Sequence, residues 1–184
     1  MEYSSMFETN FGAGMVFASE KGICRVLLPS TASVGSQNSY ELSGNSSSLT
    51  EQAASMLKEY FKGACPNFAA LPVDLGRLSL FQARILQLIR AIPFGEVRSY
   101  AGVAYMADLK GGARAIGGAM AANPVPVIIP CHRIVGANGK LTGFTAPGGL
   151  KLKKYLLLME GVEFQGEVIR QKIDSYKQEK IGMK

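Results

Sequence analysis

The stretch Asn123 to Ile134, N-P-V-P-V-I-I-P-C-H-R-I, constrains this chain more than any other. An apolar run, Val125 to Ile129 with Pro126 inside it, brings Cys131 directly beside His132, the one histidine among 184 residues. Pro130 precedes the pair and Arg133 follows it. A free thiol is only a few per cent thiolate at neutral pH, because its pKa is about 8.5. A neighbouring imidazole and cation would raise that fraction. Taken alone, the pair reads first as a buried cysteine of a core strand, with His132 and Arg133 as polar edge residues. Its surroundings reverse that reading.

The charge balance is uneven: 20 Lys and Arg against 14 Asp and Glu, a formal +6. Such a surface favours an anionic partner. Hydrophobic residues make up 47% of the chain, enough for the core of one domain or two small ones. The 3 cysteines, Cys24, Cys65 and Cys131, lie far apart and form no Cys-x-x-Cys pair. Neither a disulfide framework nor a zinc knuckle is expected, and a single histidine argues against a structural metal. Cys24 and Cys65 read as small hydrophobes in packed elements. Residues 1–11 carry acids and no long apolar run, so no signal peptide is expected. No segment approaches the ~20 apolar residues of a membrane span. A reducing, intracellular and cytoplasmic setting suits a reactive free thiol.

Two strands, Met15–Ala18 and Ile23–Leu28, are predicted around the turn Glu20-Lys21-Gly22. Residues 30–48 are rich in Ser, Gly, Asn and Gln and read as an exposed, mobile loop. Ser48 and Glu51 form a helix-start signature. Ala53, Met56, Leu57, Tyr60 and Phe61 then recur at helical spacing up to Gly63. Leu71–Leu75 reads as a short edge strand or linker. A second domain is placed from Ser79, where Ser79 and Gln82 make a capping pair. Phe81, Ile85, Leu88 and Ile89 give that helix one apolar face, closed by Pro93. The expected division is therefore 1–78, 79–164 and a loosely held tail over 165–184.

Within the second part, Ser99 caps a short helix through Tyr100, Val103, Ala104 and Met106. Lys110-Gly111-Gly112 turns the chain into a helix over Ala113–Ala122. Two short helices on a Gly-bearing turn are a helix-turn-helix pattern, weak by itself. Gly117 and Gly118 sharpen it, since each costs about 1 kcal/mol relative to Ala in a helix interior. Something must lie close to that backbone. It is either a packed neighbouring helix or a nucleic-acid backbone, with Arg114 projecting toward it. Ala115, Ala119, Ala121 and Ala122 would keep such a surface shallow. Asn138-Gly139 signals a hairpin turn. Thr145–Gly149 is a small loop able to wall a pocket. Leu150–Glu160 reads as a helix with Leu152, Leu156, Leu157 and Met159 inward, and Lys151, Lys153 and Lys154 solvating it.

The chain resembles the O6-alkylguanine-DNA alkyltransferase family, the methylated-DNA–protein-cysteine methyltransferases. The resemblance rests on I-P-C-H-R-I-V at 129–135, N-P-V-P at 123–126, R-A-I-G-G-A-M at 114–120 and F-G-E-V-R-S-Y at 94–100. G-G-L followed by L-L-L-M-E-G, within 148–161, completes it. It covers about Ser79 to Gly161; the N-terminal half matches only in outline. It implies an α+β fold, with a small ribonuclease-H-like α/β domain before a mainly helical domain that carries a helix-turn-helix.

The resemblance further implies a suicide reaction. Cys131 takes the alkyl group from O6 of guanine (also from O4 of thymine) in double-stranded DNA, once per molecule. His132 acts as base through a bound water, Glu160 orients His132, and Asn123 braces the turn. The target nucleotide must leave the stack. Arg114 resembles the finger that fills the vacated space. Tyr100 resembles the residue that pushes the flanking phosphate and then bonds the flipped base. Ala115, Gly117, Gly118, Ala119 and Arg133 join the DNA surface, which enters the minor groove. Pro126, Met120, Ile134, Phe144, Thr145 and Ala146 join Tyr100 in lining the base pocket. No cofactor or metal is implied, and the protein is expected to act as a monomer. The alternative within reach is a non-catalytic alkyl-lesion-binding protein; those lack the cysteine.

Overall fold

The computed structural model describes residues 3–29 and 45–174. Most of the expected 30–48 loop and the end of the tail, 175–184, lie outside the described residues. Strands β1 (Tyr3–Thr9), β2 (Gly12–Ser19) and β3 (Gly22–Leu27) form an antiparallel sheet in that order. The β2–β3 hairpin stands where the turn residues placed it. Strand β1 was not legible, because Y-S-S-M-F-E-T alternates weakly and is fixed only by its pairing, Tyr3 opposite Ala18 through Thr9 opposite Gly12.

Helix α1 (Ser48–Tyr60) covers the sheet with Ala53, Ala54, Leu57 and Tyr60. Its capping box lies one residue earlier than the sequence suggested, between Ser47 and Thr50. Thr50 is fully buried and also takes a hydrogen bond from Ser5 on β1 (2.8 Å), so the sheet selects it; Glu51 instead accepts from Ser46 (2.6 Å). The Leu71–Leu75 segment is a single parallel bridge, Val73 beside Ile23, on the outer edge of β3. Val26 on the same edge donates to the Pro124 carbonyl (2.8 Å). That bond moors the approach to Cys131 against the N-terminal sheet. Cys65 is exposed rather than packed, and Cys24 is half-buried.

Helix α2 (Leu80–Arg90) has the predicted Ser79–Gln82 box. It buries Ile85, Leu86 and Ile89; Phe81 remains 39% exposed, because the packed stripe follows the neighbouring helices rather than the helix's first turn. Strand β4 (Arg98–Ser99) pairs in parallel with β5 (Ile134–Val135). Helices α3 (Tyr100–Met106) and α4 (Ala113–Ala121) follow β4 and pack on α2 and on each other. Helix α5 (Gly149–Met159) ends at the site.

The described part of the tail is held, contrary to expectation. Strands β6 (Phe164–Gln165) and β7 (Val168–Ile169) form a hairpin, and Ile169 is buried with Val97, Val135, Leu157 and Val162. Asp174 then accepts from the backbone N–H (2.9 Å) and hydroxyl (2.6 Å) of Ser99 at the start of α3. One apolar core runs from Phe7 to Leu156 through both halves and includes Cys131. Among the described residues no helix is long and apolar enough to cross a membrane.

Candidate active site

The chain reaches Cys131 through a tight loop held by Asn123. The Asn123 Nδ2 donates to the Ile129 carbonyl (3.0 Å), and its Oδ1 accepts from Val125 N–H (3.1 Å). Ile129 N–H closes the loop on the Val125 carbonyl (2.9 Å). Inside it Val127 sits at φ 73°, a costly region for a β-branched residue. Asn123 thus ties the two ends of the loop together through its side chain. Cys131–Arg133 then form a single 3-10 turn, which separates adjacent side chains onto different sides.

His132 is fully buried, and its Nε2 lies 2.7 Å from Glu160 Oε1, at the C-terminal end of α5. Burial opposes the Glu160 charge. Hydrogen bonds and charges from His132 and Arg133 outweigh it and hold the carboxyl well below the usual carboxylate range. An ionised carboxylate only accepts, so Nε2 carries the proton. His132 Nδ1 is left buried with no partner. Burial also lowers the pKa of His132, more than Glu160 raises it. The imidazole is thus neutral at rest, with its free lone pair on Nδ1.

Cys131 keeps 7% of its surface exposed. Burial pushes its thiol up, and the Asn123 hydrogen bond and Lys153 charge recover only part of the shift. The expected rise in thiolate fraction from a neighbouring imidazole and cation is therefore not met at rest, because burial outweighs the nearby groups. The thiol holds its proton at rest and must surrender it during reaction, a demand a neutral imidazole can meet. Among the described residues no group of three or more His, Cys, Asp or Glu is placed to hold a metal ion.

Three kinds of likeness bear on this arrangement. Residues 80–162 match the family described as 6-O-methylguanine DNA methyltransferase, DNA binding domain. The methylated-DNA–protein-cysteine methyltransferase of Mycolicibacterium paratuberculosis is 44% identical over 108 residues, 59% of this chain and 63% of the relative. That of Salmonella typhimurium is 41% identical over 105 residues, 57% of this chain and 60% of the relative. The aligned part thus spans less than two thirds of these curated relatives. The crystal structure of Mycobacterium tuberculosis O6-methylguanine methyltransferase superposes with a TM-score of 0.70 at 30% identity, covering 87% of this chain and 93% of that one. The chain belongs to the O6-methylguanine-DNA methyltransferase family. A structure from Pyrococcus kodakaraensis, at 20% identity and TM-score 0.65, shares the fold, covering 88% of this chain and 100% of that one.

Cys131, His132, Glu160 and Asn123 lie together, and Tyr100 is near enough to Cys131 to feel its charge. The Tyr100 hydroxyl donates to the Thr142 carbonyl (3.2 Å), at the loop that Phe144, Thr145 and Ala146 continue. Pro126, Phe144 and Ala146 are half-buried and Thr145 is exposed, as cleft residues would be. On α4, Arg114, Ala115 and Gly118 face outward. A methyl group added at Gly118 would meet nothing within 4 Å, and one at Gly117 only Tyr100 at 3.8 Å. Among the described residues only Tyr100 of α3 comes near the glycine pair, at ordinary van der Waals distance, so packing there does not demand glycine.

Other expected members are elsewhere. Arg133 is turned inward: Nε and Nη2 bond Glu160 (2.8 and 2.9 Å) and Nη1 the Ile92 carbonyl (2.6 Å), so it is unavailable to DNA. Ala119 is 1% exposed, because Ile116, Ala119 and Met120 form the buried stripe of α4. Ile134 is fully buried, on the strand paired with β4, and Met120 keeps only 8% of its surface, so neither side chain stands open to solvent.

Two residues went unread. Lys153 is fully buried, not solvating. Its ammonium donates to the carbonyls of Ile134, Thr142 (2.7 Å) and Gly143 (3.3 Å). Burial lowers its pKa to about 8, against a partial upward pull from Cys131. The signal was present, since Leu152, Lys153, Leu156, Leu157 and Glu160 recur on one helical face. Tyr60 is the other. From α1 its hydroxyl donates to Glu160 Oε1 (2.6 Å) and lies 3.2 Å from His132 Nε2. Nothing local in the sequence marked it.

Proposed function

We propose that this protein repairs alkylated DNA by moving the alkyl group from O6 of guanine, and also from O4 of thymine, onto Cys131. The observation that carries the reading is the unpartnered Nδ1 of a neutral, Glu160-held His132 beside a protonated thiol. The thiol proton passes through a bridging water to Nδ1. The sulfur attacks the alkyl carbon in line as the carbon–oxygen bond breaks; the departing base anion takes one proton from solvent water and the imidazolium returns its own to solvent, so the thiol proton ends, in net terms, on the base. The thioether has no ready leaving group, so each molecule reacts once. The intact protein, incubated with duplex DNA containing O6-methylguanine, should gain about 14 Da, one methylene, on the peptide holding Cys131. No gain, or repeated turnover by one molecule, would sink the mechanism.

DNA is engaged by α3 and α4 acting as a helix-turn-helix, through the minor groove, by a monomer in the cytoplasm. Little sequence is readable in that groove, which suits lesions that occur anywhere. The N-terminal sheet and α1, residues 1–78, form a ribonuclease-H-like unit; residues 79–164 carry the chemistry. The open surface over Gly117 and Gly118 supports close approach of a nucleic-acid backbone. Gly118→Ala should therefore raise stability by up to about 1 kcal/mol through helix propensity, while weakening DNA binding. Unchanged affinity would remove the contact. Arg114, outward on the first turn of α4, fills the gap left by the flipped nucleotide. Arg114→Ala should slow repair of duplex DNA far more than reaction with free O6-alkylguanine base. Equal slowing of both would end the finger role.

A further inference from the structure

We propose that Tyr60, on the N-terminal helix α1, is a positioning residue of the alkyl-transfer site, locking His132 in the tautomer and ring setting that leave Nδ1 free. The inference rests on the proposed function for its purpose, though not for its geometry.

The site reaches 100 positions along the chain to enlist this hydroxyl. Tyr60 is fully buried, among Phe61, Phe68 and Phe94, with its ring 6.4 Å from that of His132. A phenol has one proton. Glu160 is ionised, accepts only, and lies at 2.6 Å, so that proton goes to Oε1. The lone pairs of Tyr60 Oη then face Nε2 at 3.2 Å. Both groups beside Nε2 are acceptors, and a proton there satisfies both. A proton on Nδ1 instead would leave Nε2 facing a carboxylate oxygen and a phenol lone pair, which repel it.

The same bond moderates the carboxylate. Glu160 Oε1 is shared among Tyr60, His132 and Arg133 Nη2, while Oε2 takes Arg133 Nε and the Gly95 N–H (3.2 Å). The titratable and charged groups facing His132 are Glu160 and Lys153 from α5, Tyr60 from α1, and Cys131 and Arg133 from its own turn. Of these, Tyr60 alone comes from the first 78 residues. The N-terminal half thus contributes an atom to the hydrogen-bond chain of the reacting centre.

Tyr60→Phe in the full chain removes one oxygen and keeps the ring. His132 is the only histidine, so its ring nitrogens can be followed by 15N NMR without ambiguity. Freed of one donor, Glu160 holds an imidazolium more strongly; the charge-assisted bond outweighs the longer contact to Nε2. The proton affinity of His132 should rise by about threefold to tenfold, and a fraction of the Nδ1–H tautomer should appear. The acid limb of the single-turnover rate on O6-methylguanine duplex should move to higher pH by the same factor. The DNA concentration for half-maximal rate should not change. If tautomer and titration midpoint stay put, or the rate falls without any movement of the midpoint, the proposal is overturned.

Should the phenylalanine variant fold poorly, 3-fluorotyrosine at position 60 keeps every contact and donates more strongly. The midpoint should then move the opposite way, and no movement overturns the proposal. If the unmodified protein takes no alkyl group while the ring titrations behave as expected, the proposed function fails and the Tyr60 lock stands.

Discussion

Glu160→Gln should unfold more easily by about 3–5 kcal/mol, because it breaks a buried charge pair on one side only. Arg133 would stay in the core, facing a neutral amide where a carboxylate had taken two of its donors. The amide can still accept at one atom, but its NH2 must oppose an Arg133 donor in either orientation, together with the Gly95 N–H on one side or Tyr60 and His132 on the other. Alkyl transfer should slow on the order of 10²–10⁴-fold, the range for a mispositioned general base. Urea unfolding and single-turnover transfer measure the two effects. A midpoint and a rate both close to the parent's would remove Glu160 from the centre of the site.

The pH dependence of stability carries the same signature. The folded-state pKa of Glu160 is depressed, so its contribution is present above the ordinary carboxylate range and lost as pH falls through it. His132 is also depressed, by burial. As pH falls through about 6.5 the unfolded chain takes up the imidazole proton first, and stability drops further. Both effects weaken the fold toward acid. Glu160→Gln should flatten the lower part of that decline and leave the histidine part in place.

Lys153→Met should separate the two effects, leaving stability nearly intact while slowing transfer on the order of 10–10³-fold, the effect of removing one cation beside a forming anion. The ammonium helps the Cys131 thiolate form, yet its own burial is unfavourable, as its pKa of about 8 records. Methionine fills the same length without a charge to desolvate, which offsets the lost bonds to the carbonyls of Ile134, Thr142 and Gly143. Between pH of about 8 and 10.5 the unfolded parent chain binds more protons than the folded one at this residue, so stability rises with pH there. That rise should vanish in the variant. A transfer rate within threefold of the parent's, at roughly neutral pH, would show that the charge does not serve the sulfur.

The elements with a local cause were legible. The Ser79–Gln82 box, the Ser99 cap of α3, the Lys110–Gly112 turn and the β2–β3 hairpin all depend on residues within a few positions of each other. So did the core of the site, because Cys131 and His132 are adjacent and Asn123 binds a carbonyl 6 residues away. Glu160 was reached through the family likeness. What failed had a distant cause. The choice of Thr50 over Glu51 depends on Ser5 across the sheet. The inward turn of Arg133 depends on Glu160 and Ile92.

The amino-acid order by itself determined which groups could react: one histidine, one thiol beside it, and a Gly-Gly helix with no bulk to keep a partner away. Tertiary structure decided their protonation and their company. Burial made the thiol and the imidazole neutral, and packing set the Lys153 ammonium among the carbonyls of Ile134, Thr142 and Gly143 and Tyr60 against Glu160. A proton's position follows the local dielectric and the nearest charges, and both are properties of packing that no short stretch of chain contains.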